Sequence, residues 1–156
     1  MFDKLHQLLK LEGARFRIIN HPAEGSSGKV AEIRGTLPGQ GAKAMLCYVK
    51  ELPDVYVLAV LSGNRKVDFK KLGHAVGGKK ASLVSPDEAM KITGCVMGAV
   101  PPFSFWPNVQ LVVDPKLLDD HEEIAFNAGK LDISMVLNSE DYKRIAVPLI
   151  AAIAAE

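Results

Sequence analysis

Four groups of residues in this chain have the types and spacing that chemistry needs. His21 stands beside Pro22 at a predicted strand end, where an imidazole either titrates in a site or serves as a structural partner. Lys43 lies in the run Gly39-Gln40-Gly41-Ala42-Lys43-Ala44-Met45-Leu46-Cys47, at the mouth of a hydrophobic segment. Its stem either snorkels the ammonium to solvent or presents it in a glycine-lined cleft suited to a phosphate or a hydroxyl group. The segment from Gly94 to Pro107 combines two glycines with three prolines. Proline fixes φ and glycine admits close approach to the main chain, so such a loop can orient a carbonyl or ester oxygen with backbone groups alone. The alternative is a buried connection whose Phe103, Phe105 and Trp106 plug the core. Lys70, Lys71, Lys79 and Lys80 cluster around a Gly-Gly turn, where they are either solvated or touch a nucleic-acid backbone.

Other chemistries find no support. His6 falls on a predicted helix and His121 in the acidic stretch Asp119 to Glu123, so both read as surface residues; His74 stays open. No HxxxH or DxD spacing is present, and no metal site is expected. There is no GxSxG elbow. Cys47 falls inside an apolar strand, Cys95 adjoins the glycine-rich loop, and neither has the surroundings of a catalytic thiol. The GxxxxGK[ST] and GxGxxG phosphate-binding patterns are both missing, so no nucleotide cofactor is expected.

These residues must be held by elements that the patterning predicts. Phe2, Leu5, Leu8 and Leu9 recur at helical spacing and Gly13 supplies a stop. Arg15 to Ile19 alternates with period two, as a half-buried strand does. A Ser/Gly turn, Ala23 to Gly28, leads into a short helix carrying Val30, Ala31 and Ile33. The apolar runs Ala42 to Val49 and Val55 to Leu61 make an antiparallel hairpin. A helix follows over Val67 to Val76, then a third apolar segment at Lys80 to Val84. Ser85-Pro86-Asp87-Glu88 starts a helix that stops near Gly94: Ser caps, Pro takes the first position and Glu lies three residues after Ser. Val109 to Val113 and Ile133 to Leu137 are strands, and a last helix runs from Asn138-Ser139 toward Ala155 with Pro148 as a point for a kink.

The order predicts one mixed α/β (α+β) domain over residues 1–156, built on a curved sheet. At 156 residues the chain suits a single core. With 19 Lys+Arg against 18 Asp+Glu, its net charge of +1 excludes a histone-like coat and leaves room for a local basic patch. No apolar run approaches the roughly 18 residues a bilayer span needs, and the amphipathic N-terminus is unlike a signal peptide, so a soluble cytoplasmic protein without a membrane partner is the expectation.

Five stretches in order resemble the YbaK/prolyl-tRNA-synthetase-associated family: His21, Gly-Gln-Gly-Ala-Lys43, Gly98-Ala99-Val100-Pro101-Pro102 as a GxxxP loop, Val113-Asp114-Pro115, and Glu123-Ile124-Ala125-Phe126-Asn127-Ala128-Gly129. The phrases Ala31-Glu32-Ile33-Arg34-Gly35-Thr36, Gly94-Cys95-Val96-Met97-Gly98 and Pro101-Pro102-Phe103-Ser104-Phe105 are most similar to the YeaK-like branch. One stretch departs: Ala23 to Lys29 is Gly/Ser-rich where many relatives carry a Thr and an acidic helix start. The resemblance implies a curved, barrel-like mixed sheet surrounded by helices. It also implies a free-standing editing enzyme that hydrolyses the ester of mischarged aminoacyl-tRNA without metal, cofactor or protein nucleophile.

On that resemblance Lys43 holds the terminal adenosine or its phosphate. The loop Gly98, Ala99, Val100, Pro101 and Pro102 positions the aminoacyl carbonyl, and water helped by a ribose hydroxyl attacks. His21, Asn127, Gly129 and Ser134 belong to the amino-acid pocket. The residue removed is expected to be small, serine before threonine or alanine. The partner is the acceptor end of aminoacyl-tRNA, with Lys70, Lys71, Lys79 and Lys80 as weak backbone contacts and a synthetase as a further candidate partner. The rival reading is a module that grips tRNA ends or a synthetase without turnover; a small-molecule ester or acyl-adenylate is a third substrate class.

Overall fold

A computed structural model describes residues 1–156. In chain order the elements are α1 (Phe2–Leu11), β1 (Phe16–Asn20), α2 (Ser27–Arg34), a 3-10 turn (Pro38–Gln40), β2 (Ala42–Val49), β3 (Tyr56–Ser62), α3 (Phe69–Ala75), β4 (Ala81–Leu83), α4 (Pro86–Thr93), β5 (Val109–Val113), α5 (Pro115–Asp119), β6 (Glu123–Lys130), β7 (Ile133–Asn138), α6 (Ser139–Ala146) and β8 (Leu149–Ile150). The expected start of α4 is realised: Ser85 Oγ accepts from the Glu88 N–H at 3.1 Å, and Pro86 opens the helix.

The strands form two sheets, one of three strands in the order β1-β7-β6 and one of five in the order β4-β2-β3-β5-β8. Side chains on a strand alternate between faces, and here the alternation divides the core in two. Leu58 and Val60 of β3 enter a large cluster with Leu111, Phe103, Phe126 and Tyr142. Their neighbours Val57 and Ala59 enter a smaller one with Cys47, Val112 and Leu72. Because both faces are covered, β3 is buried along almost its whole length, which is why it reads as a continuous apolar run. Helix α1 closes the large cluster with Leu5 and Leu9, one turn apart and both fully buried.

The architecture is the mixed α/β one expected, but no barrel closes. β4 pairs with β2 only over Cys47 to Val49, and β6 meets the other end of β2 at one bridge, Gly41 to Ala125. The edge of β2 from Ala42 to Met45 is therefore left without a strand neighbour.

The C-terminus corrects the sequence reading. The helix expected toward Ala155 stops at Ala146, because Val147, disfavoured from the α region by the following Pro148, adopts φ 46°. Leu149 and Ile150 then add β8 in parallel to β5. Buried Asp114 anchors this tail. Its Oδ2 accepts from the N–H groups of Ile153 (3.0 Å) and Ala154 (3.1 Å), while Oδ1 caps α5 at Lys116 N–H (3.1 Å). Asp114→Ala strands these donors and is expected to cost about 3 kcal/mol, read as a fall in the urea midpoint at unchanged slope. Asp114→Asn, which keeps one acceptor oxygen, is expected to recover part of the loss.

Candidate active site

A cavity of about 210 Å³ opens where that free edge of β2 faces α2, the Gly98 loop and the turn before α2. Its wall includes Lys43, Gly98, Val100 and Asn127 from the expected set, together with Arg34, Ser27 and Met97, which sequence reasoning did not single out as site residues.

The loop is built around Gly98. Its φ is +86°, and a Cβ there would stand 3.1 Å from the Gly25 carbonyl oxygen and 3.2 Å from Gly25 Cα, so glycine is what lets two backbone segments meet. Asn127 on β6 ties them together: Nδ2 donates to the carbonyls of Gly98 (2.9 Å) and Glu24 (3.0 Å). The Ala99 carbonyl accepts from the Gly129 N–H at 2.9 Å. Ala99, Pro101 and Pro102 are buried, and Phe103 meets the core aromatics Phe126 and Tyr142 edge to face, so the loop is both a core plug and a cavity wall. Within this rigid loop the N–H groups of Gly98 and Val100, two residues of the wall, have no acceptor in the protein.

Lys43 is half-buried, and its ammonium donates to the backbone carbonyl of Arg65. No carboxylate pairs with it. Burial, and then the neighbouring charge of Lys66, holds its pKa below the usual lysine range.

Arg34, in the last turn of α2, is 9% exposed. It donates from Nε to Ser134 Oγ at 2.7 Å and from Nη2 to Asn127 Oδ1 at 3.0 Å. Burial pushes its pKa down to about 10. Ser134 is fully buried behind it, and His21 lies behind Ser134 with Nε2 2.7 Å from the hydroxyl. His21 Nδ1 faces the Pro22 carbonyl at 2.8 Å, while the Ser134 hydroxyl donates to Asn127 Oδ1 at 3.1 Å, so Ser134 links His21, Arg34 and Asn127. Neither His21 nor Ser134 reaches the cavity wall; they orient Arg34. Gly129, at φ +88°, also lies outside the wall, packed where a Cβ would stand 2.8 Å from Met1 Cγ.

Lys70, Lys71, Lys79 and Lys80 lie outside the wall as well. They are brought together because Gly73 of α3 packs directly on the Lys79–Lys80 backbone.

Chemically, the wall carries two cations and no carboxylate, histidine or cysteine. Ser27 has no base beside it. Burial pushes the Cys47 thiol up to about 12 and also raises Cys95, which keeps both protonated and away from nucleophilic roles. What the wall offers is positive charge and two residues, Gly98 and Val100, whose backbone N–H groups are unpaired.

Comparison with known proteins identifies the lineage of this site. The profile of the aminoacyl-tRNA editing domain matches residues 21–145. Over 147 residues, 94% of this chain and 88% of the relative, the sequence is 51% identical to the multifunctional Ser/Thr-tRNA deacylase ProXp-y of Escherichia coli strain K12. The fold is similar to that of the hypothetical protein APE2540, with a TM-score of 0.87 at 18% identity over 97% of this chain and 99% of that one. A protein assigned provisionally as a trans-editing enzyme for prolyl tRNA synthetase gives 0.84 at 20% identity over 99% and 97%. At those identities the two structures speak to fold alone; on the profile match and the 51% identity, the chain belongs to the aminoacyl-tRNA editing domain family.

Proposed function

We propose that this protein is a trans-acting deacylase that hydrolyses the ester of tRNA mischarged with serine or threonine. The observation that carries the reading is a cavity with two cations, unpaired backbone N–H groups and no protein nucleophile or base. Such a site suits an ester already attached to a group that supplies its own assistance. Lys43 takes the phosphate or terminal ribose of the acceptor end. The Gly98–Pro102 loop holds the carbonyl and, through N–H groups, stabilises the oxyanion that forms as water adds. The adjacent ribose hydroxyl of the substrate helps that water, and ester cleavage returns tRNA and free amino acid. Holding ester and water together supplies most of the acceleration.

Lys70, Lys71, Lys79 and Lys80 act as a secondary, salt-sensitive contact to the tRNA backbone, and a synthetase is a candidate source of the mischarged substrate. The E. coli relative, a Ser/Thr-tRNA deacylase by name, supports serine and threonine as the residues removed.

The test is a time course on a panel of radiolabelled aminoacyl-tRNAs. Release of serine and threonine well above the spontaneous rate is expected. Salt-dependent binding of charged tRNA with no acceleration of ester loss would overturn the reading in favour of a binding module.

A further inference from the structure

Of the charged side chains that the fold buries, Asp114 and Asp141 each face an arginine, whereas Arg34 faces no carboxylate. Two of its nitrogens are fixed, Nε by Ser134 and Nη2 by Asn127. The third, Nη1, has no acceptor in the protein and lies 3.8 Å from where a Cβ on Gly41 would stand; Arg34 and Gly41 both belong to the cavity wall. A buried guanidinium with one unspent donor edge beside a cavity is an acceptor-seeking site.

We infer that Arg34 is the specificity residue of the cavity and donates from Nη1 to the side-chain hydroxyl of the aminoacyl group, an assignment that rests on the deacylase reading above. The charge of the site selects the orientation. An aminoacyl ester carries an α-ammonium, which a fixed guanidinium repels, so the amino group faces away and the side chain faces Arg34. A hydroxyl oxygen then accepts without adding charge. Alanine offers only a methyl group, which takes water from Nη1 and returns no acceptor. Serine and threonine carry their hydroxyl on the same carbon, so one donor reads both. The relay from His21 through Ser134 to Nε, with Asn127 on Nη2, leaves the guanidinium plane little freedom to follow a shorter side chain.

The experiment charges one tRNA with serine, alanine, threonine or 2-aminobutyrate, the last being threonine's analogue with the hydroxyl replaced by hydrogen. It compares kcat/KM for the wild-type protein, Arg34→Gln and Arg34→Lys. The wild-type protein is expected to prefer serine over alanine and threonine over 2-aminobutyrate by about tenfold or more. Arg34→Gln is expected to lose about 30-fold on the hydroxylated substrates and less than about threefold on the other two, collapsing both ratios. Arg34→Lys, which keeps the charge and loses the fork, is expected to recover part of the preference. Thermal unfolding shows whether each variant is folded, and the ratios are read on whichever variant is.

An equal loss on all four substrates would overturn the inference and assign Arg34 to the ester or to the terminal phosphate. A wild-type protein that deacylates all four without preference would overturn it while leaving the deacylase reading intact. A wild-type protein that deacylates none would remove both.

Discussion

Lys43→Ala is expected to lower kcat/KM for deacylation by about 100-fold or more while the protein melts within a few degrees of the wild-type temperature. The two halves of that result have one cause. The ammonium is half-buried beside a cavity, its protein partner is the Arg65 carbonyl, and no carboxylate neutralises it. A charge held this way contributes little to the fold, because its burial works against it. It contributes much to an anionic or polar substrate group, because the ammonium is already partly desolvated at the cavity wall and carries a charge that no carboxylate cancels. The pH profile supplies a second readout. Burial, followed by the Lys66 charge, lowers the Lys43 pKa, so the ammonium is lost as pH rises at values below the usual 10.5. After subtraction of spontaneous ester hydrolysis, catalysed turnover is expected to fall along that alkaline limb. In Lys43→Arg, whose charge does not titrate there, the fall is expected to shrink to the share set by Arg34 in the same wall, even though overall activity is reduced. A Lys43→Ala variant within about threefold of wild type would remove this residue from the mechanism.

Which parts of this site were legible in the sequence follows from the range over which each signal acts. Helix α4 is readable because its cap, proline and acidic first turn are local, and β5 because a five-residue run with four apolar positions falls between breakers. The Gly98 loop stood out because glycine and proline restrict the main chain wherever they occur. The end of α6 is not legible because the alanine-rich run Ala151 to Ala155 has high helix propensity, whereas Pro148 and the free edge of β5 decide the outcome. The motif Glu123 to Gly129 does not read as a strand, since the acidic stretch before it gives no strand signal. Arg34 is the least legible residue of the wall. A basic residue in the last turn of a helix reads as a solvated partner of the helix dipole, and nothing nearby in sequence reveals Ser134 and Asn127 about a hundred positions on. Likewise His21, Asn127, Gly129 and Ser134 look alike as a group in sequence. Three dimensions separate Asn127, in the wall, from His21 and Ser134, which stand behind Arg34, and from Gly129, which tethers Ala99.

The loop itself gives the second large effect. Gly98→Ala meets two obstacles at once: an L-residue at φ +86° is strained by about 1–2 kcal/mol, and its Cβ falls 3.1 Å from the Gly25 oxygen and 3.2 Å from Gly25 Cα. Both neighbours are backbone, so relief requires the two segments to part. Parting them pulls the Gly98 carbonyl from Asn127 and displaces the unpaired N–H groups of Gly98 and Val100. A shift on the order of 1 Å at groups that position a reacting carbonyl costs about 100-fold in rate, and the loss is expected in kcat, since Lys43 and its approach to the acceptor end are untouched. Gly13→Ala is the control. It has φ +64° with nothing within 4 Å and sits after α1, away from the cavity, so it carries backbone strain without the collision. It is expected to lose about 1 kcal/mol of stability and no activity. If Gly98→Ala lost stability alone, like Gly13→Ala, the loop would be a structural plug and the carbonyl would have to be held elsewhere in the cavity. If it lost kcat while binding charged tRNA as before, the left-handed conformation that only glycine adopts freely at position 98 is what keeps the two backbone donors where the ester needs them.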